Sequence, residues 1–241
     1  MNKLIAIAFA AFLLYGCSRI GDVGMPEEIE VIVGESAEDF TKKYSRHITV
    51  DRQPAGVNFY KLEWSSRAKG TVRLVNGAHF LSIKDVLEFT GIESAEAQEE
   101  GLSELNIITS PIEREGIRHQ DALTRFNSIL SGAIQAGWSP LIPPGSPRIK
   151  GREALRYKLH QDEYLSLDGS YSPTFDEWMT LANFSAWEFH KNGIFMIISF
   201  DRNQELLDKN LPGVYLFNFS LKNLSILVPC EFSSTKNLKS S

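Results

Sequence analysis

The sequence predicts an α+β fold of two small lobes, each an antiparallel sheet with an Asn-Gly hairpin backed by a helix. Three observations carry the prediction. Asn76-Gly77 and Asn192-Gly193 each sit between apolar runs of strand character, and Asn-Gly tolerates the positive φ that a two-residue hairpin turn demands. Ile117 to Gly137 repeats apolar residues at three- and four-residue spacing, and Ser172 to Trp178 opens a second helix. Between these helices, Trp138 to Pro147 holds so many prolines that no regular element fits. The lobes expected are residues 29–116 and 117–232, followed by a loose polar tail at 233–241.

In chain order, Glu30 to Val33 reads as a short strand ended by Gly34. Ser36 followed by Asp39 then forms an N-cap pattern for a helix to about His47, with Phe40 and Tyr44 on its buried face. From Val57 to Trp64, the apolar positions Val57, Phe59, Leu62 and Trp64 alternate with a slip, which predicts a strand with a bulge. Thr71 to Ile83 is the first hairpin. With Val75 opposite Ala78, one face carries Val72, Leu74, Leu81 and Ile83, and the other carries Thr71, Arg73 and Ser82 around Phe80. Glu93, Glu96, Glu99, Glu100 and Glu104 form a charge run that reads as a solvated connector.

Leu105 to Thr109 is a strand, and the long helix follows, its apolar stripe made by Leu123, Phe126, Ile129, Leu130, Ala133 and Ile134, with Gly137 as its stop. Beyond the proline-rich loop, Ala154 to Leu159 reads as a strand whose edge is protected by Arg148, Lys150, Arg152, Arg156 and Lys158. Thr174 with Glu177 fits a capping box, with Ser172 as an alternative cap. In the second hairpin, His190 opposite Phe195 puts the pairs Phe189/Met196 and Trp187/Ile198 in the core and Glu188 and His190 on the other face. Strands at Val214 to Leu221 and Leu224 to Cys230 close the fold.

The N-terminus carries an address. Lys3 precedes the apolar run Leu4 to Tyr15, which is too short to span a bilayer and has the parts of an export signal. Its ending, Leu14-Tyr15-Gly16-Cys17, resembles the lipobox of bacterial lipoproteins. The resemblance implies cleavage between Gly16 and Cys17, acylation of Cys17, and a tether over residues 17–28; Ser18 after the cysteine is similar to the sorting pattern for the outer membrane. Each acyl methylene buried in the bilayer contributes about 0.8 kcal/mol to attachment.

Composition narrows the functional classes. The net charge of −5 lacks the basic stripe of a nucleic-acid binder. With two cysteines, one of them assigned to lipid, no intramolecular disulfide forms; Cys230 either pairs between chains or hides in the core, and its apolar surroundings favour burial. Gly-x-Ser-x-Gly, the zinc-protease helix, the dinucleotide fingerprint and the phosphate-binding loop are all missing, and the five histidines are too scattered for a metal pair on one helix face. Glu188 with His190 is the one pairing in which a carboxylate can orient an imidazole, and it has no nucleophile beside it in sequence.

Gly137-Trp138, Pro147-Arg148-Ile149-Lys150-Gly151, Tyr171 to Trp178 and Trp187 to Gly193 together resemble the lipid-anchored immunity proteins paired with antibacterial lipase effectors of type VI secretion. The likeness spans residues 117–202. It implies a protein on the periplasmic face of the outer membrane that binds and blocks a toxin, with no reaction, cofactor or metal of its own. The candidate partner-binding residues are Trp138, Leu141, Ile142, Arg148, Lys150 and Arg152. The alternative reading is an envelope assembly or scaffold lipoprotein docking on a membrane complex.

Overall fold

The computed structural model describes residues 24–112, 115–142, 147–160 and 166–223. Signal residues 1–16, Gly16 and Cys17 at the cleavage site, the strand expected at Leu224 to Cys230 and the tail at 233–241 lie outside the described residues, as do residues 143–146 of the proline-rich loop.

The architecture is mixed α and β, built on one large, mostly antiparallel sheet with few helices. Its first half contributes β1 (Glu28–Val31), α1 (Ala37–Lys43), β2 (Thr49–Gln53), β3 (Val57–Glu63), β4 (Gly70–Asn76), β5 (His79–Ser94) and β6 (Glu104–Thr109). The second half contributes β7 (Ile117–Arg118), α2 (His119–Gln135), β8 (Ser139–Pro140), α3 (Gly151–His160), α4 (Phe175–Thr180), β9 (Ala186–Lys191), β10 (Ile194–Arg202), β11 (Pro212–Gly213) and β12 (Tyr215–Asn223). The ten-stranded sheet runs β1-β4-β5-β6-β12-β10-β9-β8, with β3 on β5 and β2 on β3; β7 and β11 form a separate two-stranded ribbon. The last strand among the described residues, β12, lies in the middle and joins the halves by pairing with β6 and β10. The two expected lobes are therefore corrected to one sheet with one hydrophobic cluster.

One sheet face is covered. Phe89, Ile107, Phe219 and Ile198 lie in one cross-strand row, fully or almost fully buried, under α1 and α2. Phe126 of α2 is the hub, its ring 4.8 to 5.7 Å from those of Trp187, Phe217, Trp178 and Phe200. Contacts of this kind add specificity to the area that aromatic side chains bury.

Several elements depart from expectation for identifiable reasons. Helix α1 stops at Lys43 rather than His47, although Ser36 accepts the Asp39 N–H as its cap. In β3 there is no slip: Asn58, Tyr60, Leu62 and then Trp64 are the inward positions, so Phe59 belongs to the outer face. A buried asparagine hid the period. The segment 154–159, expected as a strand, lies in helix α3, where Ala154 and Leu155 are buried and Arg156 pairs with Glu153 one turn away. Its apolar residues are too few for a strand face, while charge pairs at helical spacing support a helix. The globule also begins before Ile29, because the Pro26 carbonyl accepts the Trp64 indole N–H at 2.8 Å.

The β4–β5 turn differs by one position. Asn76 pairs with His79, so the two-residue connection is Gly77-Ala78, with Gly77 at φ 66°. A glycine at the first turn position permits this mirror-type turn. The partners slide by two residues, Val72 to Ile83 and Leu74 to Leu81, which keeps every side chain on its face. In the β9–β10 hairpin Asn192 and Gly193 both have positive φ and connect Lys191 to Ile194, with Phe189 opposite Met196 and Trp187 opposite Ile198.

Strand β5 is far longer than the hairpin strand expected. Near Asp85, at φ 59°, its ladders with β4 and β6 both shift register. Bulges of this kind bend a strand. The β4–β5 arm thereby crosses the covered face, and its tip meets the other hairpin: Asn192 Nδ2 donates to Asn76 Oδ1 at 2.9 Å, and Asn76 Nδ2 donates to the Lys191 carbonyl at 3.2 Å.

Candidate functional site

The proline-rich stretch, the start of α3 and the segment 166–170 converge on a cleft of about 350 Å³ lined by Leu141, Ile142, Ile149, Lys150, Leu167 and Asp168, among others. Backbone pairing positions it. Ser139 and Pro140 add a short strand to β9, and Leu141 N–H donates to the Glu188 carbonyl at 2.8 Å. On the same strand Leu167 N–H donates to the Ala186 carbonyl at 2.8 Å, and the Ser166 hydroxyl accepts the Glu188 N–H at 3.1 Å. Two segments distant in sequence are thus stitched to the one strand β9, and their side chains form the walls.

Asp168 fixes the polar end. Its carboxylate accepts the Gly151 N–H at 2.8 Å and both the N–H and hydroxyl of Ser170. Burial pushes its pKa up, but the Ser170 bonds, the Gly151 N–H and nearby Lys150 outweigh that and hold it below its ordinary range. Asp168 remains a carboxylate committed to loop structure, and Lys150 stays exposed at the rim.

The six residues selected from sequence divide. Leu141, Ile142 and Lys150 line the cleft, and exposed Arg148 stands between its lining residues Pro147 and Ile149. Trp138 does not reach the surface. It is 3% exposed, with its N–H on the Ala133 carbonyl at the end of α2, so it serves the core and not a partner. Arg152 is drawn aside: its Nε donates to Glu177 at 2.8 Å. Glu177 also accepts the Tyr171 hydroxyl and the Thr174 N–H, completing the capping box of α4. Burial raises the Glu177 pKa, but its bonds to Thr174, Tyr171 and Arg152 prevail and pull it down to about 2.

Ser166 and Asp168 are site residues that sequence reasoning passed over. The available signal was Asp168-Gly169-Ser170, an Asx-turn pattern. Other polar groups were hidden in the same way. Glu93, expected in a solvated run, is buried and accepts Asn58 Nδ2 at 2.9 Å and the Tyr60 hydroxyl at 2.8 Å. Burial and that bond push the Tyr60 hydroxyl up to about 12.

Glu188 and His190 part company: Glu188 is buried and His190 exposed. Ser139 stands opposite His190 across the β8–β9 pair, and among the described residues no hydrogen bond joins hydroxyl to imidazole. Nor does any group of three or more His, Cys, Asp or Glu side chains among them have the placement to hold a metal ion. No described helix is long and apolar enough to cross a membrane. No protein-family model matches this sequence, and neither a similar curated protein nor a similar solved structure was found.

Proposed function

We propose that this chain is a lipid-anchored protein on the periplasmic face of the outer membrane that binds and neutralises a protein partner, as an immunity protein against a lipase-like antibacterial effector of the type VI kind. The Leu14 to Cys17 lipobox supports the anchor. The observation that carries the binding role is the cleft: an apolar wall from Leu141, Ile142 and Leu167 with exposed cations at Lys150 and Arg148. Interfaces take most of their energy from one or two apolar anchors in such recesses, and rim charge selects the partner. The matching partner surface is an apolar side chain flanked by carboxylates.

The test is protection. Susceptible cells carrying the full chain are challenged with the product of the neighbouring gene directed to the periplasm. Cells with the wild-type chain survive, while Leu141→Asp and Lys150→Glu lose at least ~10-fold of that protection at unchanged protein level, corresponding to about 1.4 kcal/mol of binding. Survival no better than an empty vector with the wild-type chain overturns the reading; full protection by both variants moves the interface elsewhere.

A further inference from the structure

Chain entry and an exposed apolar tip lie at the same end of the sheet. Val86, Thr109, Phe217 and Phe200 form one cross-strand row. Just beyond it, residues 203–211 leave β10 and return toward β12, with the Asn203 N–H on the Val214 carbonyl at 3.1 Å. Phe184 lies there too, its N–H donating to the Phe200 carbonyl at 2.8 Å. The chain enters the fold beside the same row: Gly70 pairs with Val86, the Glu27 carbonyl accepts the Thr71 N–H at 2.9 Å, and the Pro26 carbonyl holds the Trp64 indole. Three strand spacings, about 14 Å, separate β5 from β10 there. The hairpin tips at Asn76 and Asn192 belong to the far end, where Asn223 meets Ile194, about 20 Å along β12 from Phe217.

Three large apolar side chains at the entry end stand in water: Phe184 is 64% exposed, Leu211 60% and Leu206 41%. Hydrogen bonds fix the turns that carry them. The Leu206 N–H donates to the Asn203 carbonyl at 3.2 Å and the Glu205 N–H to the Asn203 side-chain oxygen at 2.9 Å. The same pair of bonds recurs at Asp208, from Leu211 at 3.0 Å and from Asn210 at 2.9 Å. Lys209 ties this second turn to α4 through Asp176 at 2.6 Å. Phe184 is the strained member. It holds the third position of a turn closed by the Ser185 N–H on the Ala182 carbonyl, at φ 60°, where glycine is the usual residue. A strained backbone that presents an apolar ring to solvent points to a contact outside the chain.

We infer that this tip rests in the interface of the lipid bilayer. The inference depends on the lipid anchor proposed above. From Cys17 to Gly24 the chain reaches at most about 23 Å, which holds the entry end of the sheet close to the membrane, while the hairpin end lies further out. Phe184, Leu206 and Leu211 then enter the boundary between headgroups and acyl chains. The surface that fits is zwitterionic and not anionic: residues 203–211 carry Glu205 and Asp208, and their one cation, Lys209, is paired with Asp176. The contact sets the tilt of the molecule on its tether, with the hairpin tips directed away from the bilayer.

The test uses the full chain matured in cells and carrying Cys230→Ser, reconstituted into phosphatidylcholine vesicles that contain a nitroxide-labelled lipid. Acylated Cys17 offers no thiol, so one fluorophore is placed by Asn210→Cys at the tip or by Ala78→Cys at the hairpin end. Quenching of the Asn210→Cys label exceeds that of the Ala78→Cys label at least ~5-fold and persists at high salt. Phe184→Gly, which relieves the turn, and Leu211→Asp each lower it at least ~3-fold, and Phe184→Gly does so with no fall in the urea midpoint. A chain that floats with the vesicles while both labels stay equally unquenched overturns the tip contact and leaves the anchor standing. A chain that does not float overturns the anchor and this inference with it. Quenching that appears only with phosphatidylglycerol, or that both variants leave intact, overturns the apolar contact. Shielding of the Asn210→Cys label that rises with protein density on the vesicle does so too, and gives the tip to a second copy.

Discussion

Arg202 is a buried cation whose partners are carbonyl groups. It is 5% exposed and donates to the carbonyls of Trp178 at 3.1 Å and Met179 at 3.0 Å, and to that of Leu181. The Met179 and Leu181 carbonyls are orphan acceptors at the end of α4, a helix of six residues that has little stability of its own, while that of Trp178 also accepts the Leu181 N–H. The guanidinium therefore terminates the helix and fastens it to β10, where the rings of Trp178 and Phe200 stand beside it. Arg202→Met keeps the volume and strands the Met179 and Leu181 carbonyls; we expect a loss of about 3 kcal/mol in urea unfolding, since each buried acceptor left unpaired costs about 1–3 kcal/mol. Arg202→Lys recovers part of the loss because an ammonium donates without the planar fork. A loss under 1 kcal/mol for the methionine variant refutes this role. Nothing in the sequence distinguishes Arg202 from a surface arginine, because its partners are backbone atoms supplied by tertiary packing.

The element most dependent on a single titrating side chain is the start of α2. His119 is 1% exposed, its Nε2–H donating to the Asp208 carbonyl at 3.1 Å and its Nδ1 accepting the Tyr215 hydroxyl. A carbonyl only accepts, so Nε2 carries a proton, and in the neutral ring Nδ1 is left to accept from the Tyr215 hydroxyl. It locks the loop after β10 against α2 at the β7–β11 ribbon, where Gly213 is obligatory: a Cβ there falls 2.5 Å from the His119 ring. Burial lowers the His119 pKa below 6.5, only partly opposed by the Asp208 carbonyl, and Arg202 lowers it further. The unfolded chain thus binds a proton before the native one does. Stability is full above about pH 6.5 and declines as pH falls below it. In His119→Gln that decline between pH 7 and 5 becomes shallower, measured as the urea midpoint across the range; an unchanged slope excludes the histidine as its cause. Elements of this molecule were legible where local chemistry decides: the Ser36 cap, the Thr174–Glu177 capping box and the α2 stripe follow from neighbours within one turn. They were illegible where distant contacts decide. Asn76 turned one position later because its amide is held by Lys191 and Asn192, and α3 replaced a strand because Gly151 is anchored by Asp168. The cleft was half legible for the same reason, its Leu141 to Lys150 wall readable as an irregular basic loop and its Ser166 to Asp168 wall brought up only by pairing with β9.

At the scale of the whole molecule, the decisive pairing is β6 with β12. Leu105 meets Leu221, Ile107 meets Phe219 and Thr109 meets Phe217, so the seam between the halves is the centre of the sheet and not an interface between lobes. Each of these apolar side chains is at most 2% exposed. Splitting the chain after residue 116 leaves β6 as a bare edge with an uncovered apolar row, and it leaves the second half without the strand that β12 closes on. The outer face does not compensate, because Asn106, Ser220 and Lys222, none of them fully buried, alternate along these strands with the inward apolar residues as on a sheet with one side to water. Residues 24–116 produced alone are therefore expected to give the dispersion-poor amide spectrum of an unfolded chain, and so are residues 117–241. The intact protein is expected to unfold in one transition, with far-ultraviolet circular dichroism and tryptophan fluorescence coinciding, since Trp64 reports the first half and Trp178 and Trp187 the second within one core. Two separated transitions, or a folded isolated half, would establish independent lobes despite the shared sheet. A single transition makes the tie between hairpin tips, Asn76 to Asn192, an internal brace and not a domain contact, so that Asn76→Ala shifts both probes together rather than loosening one half.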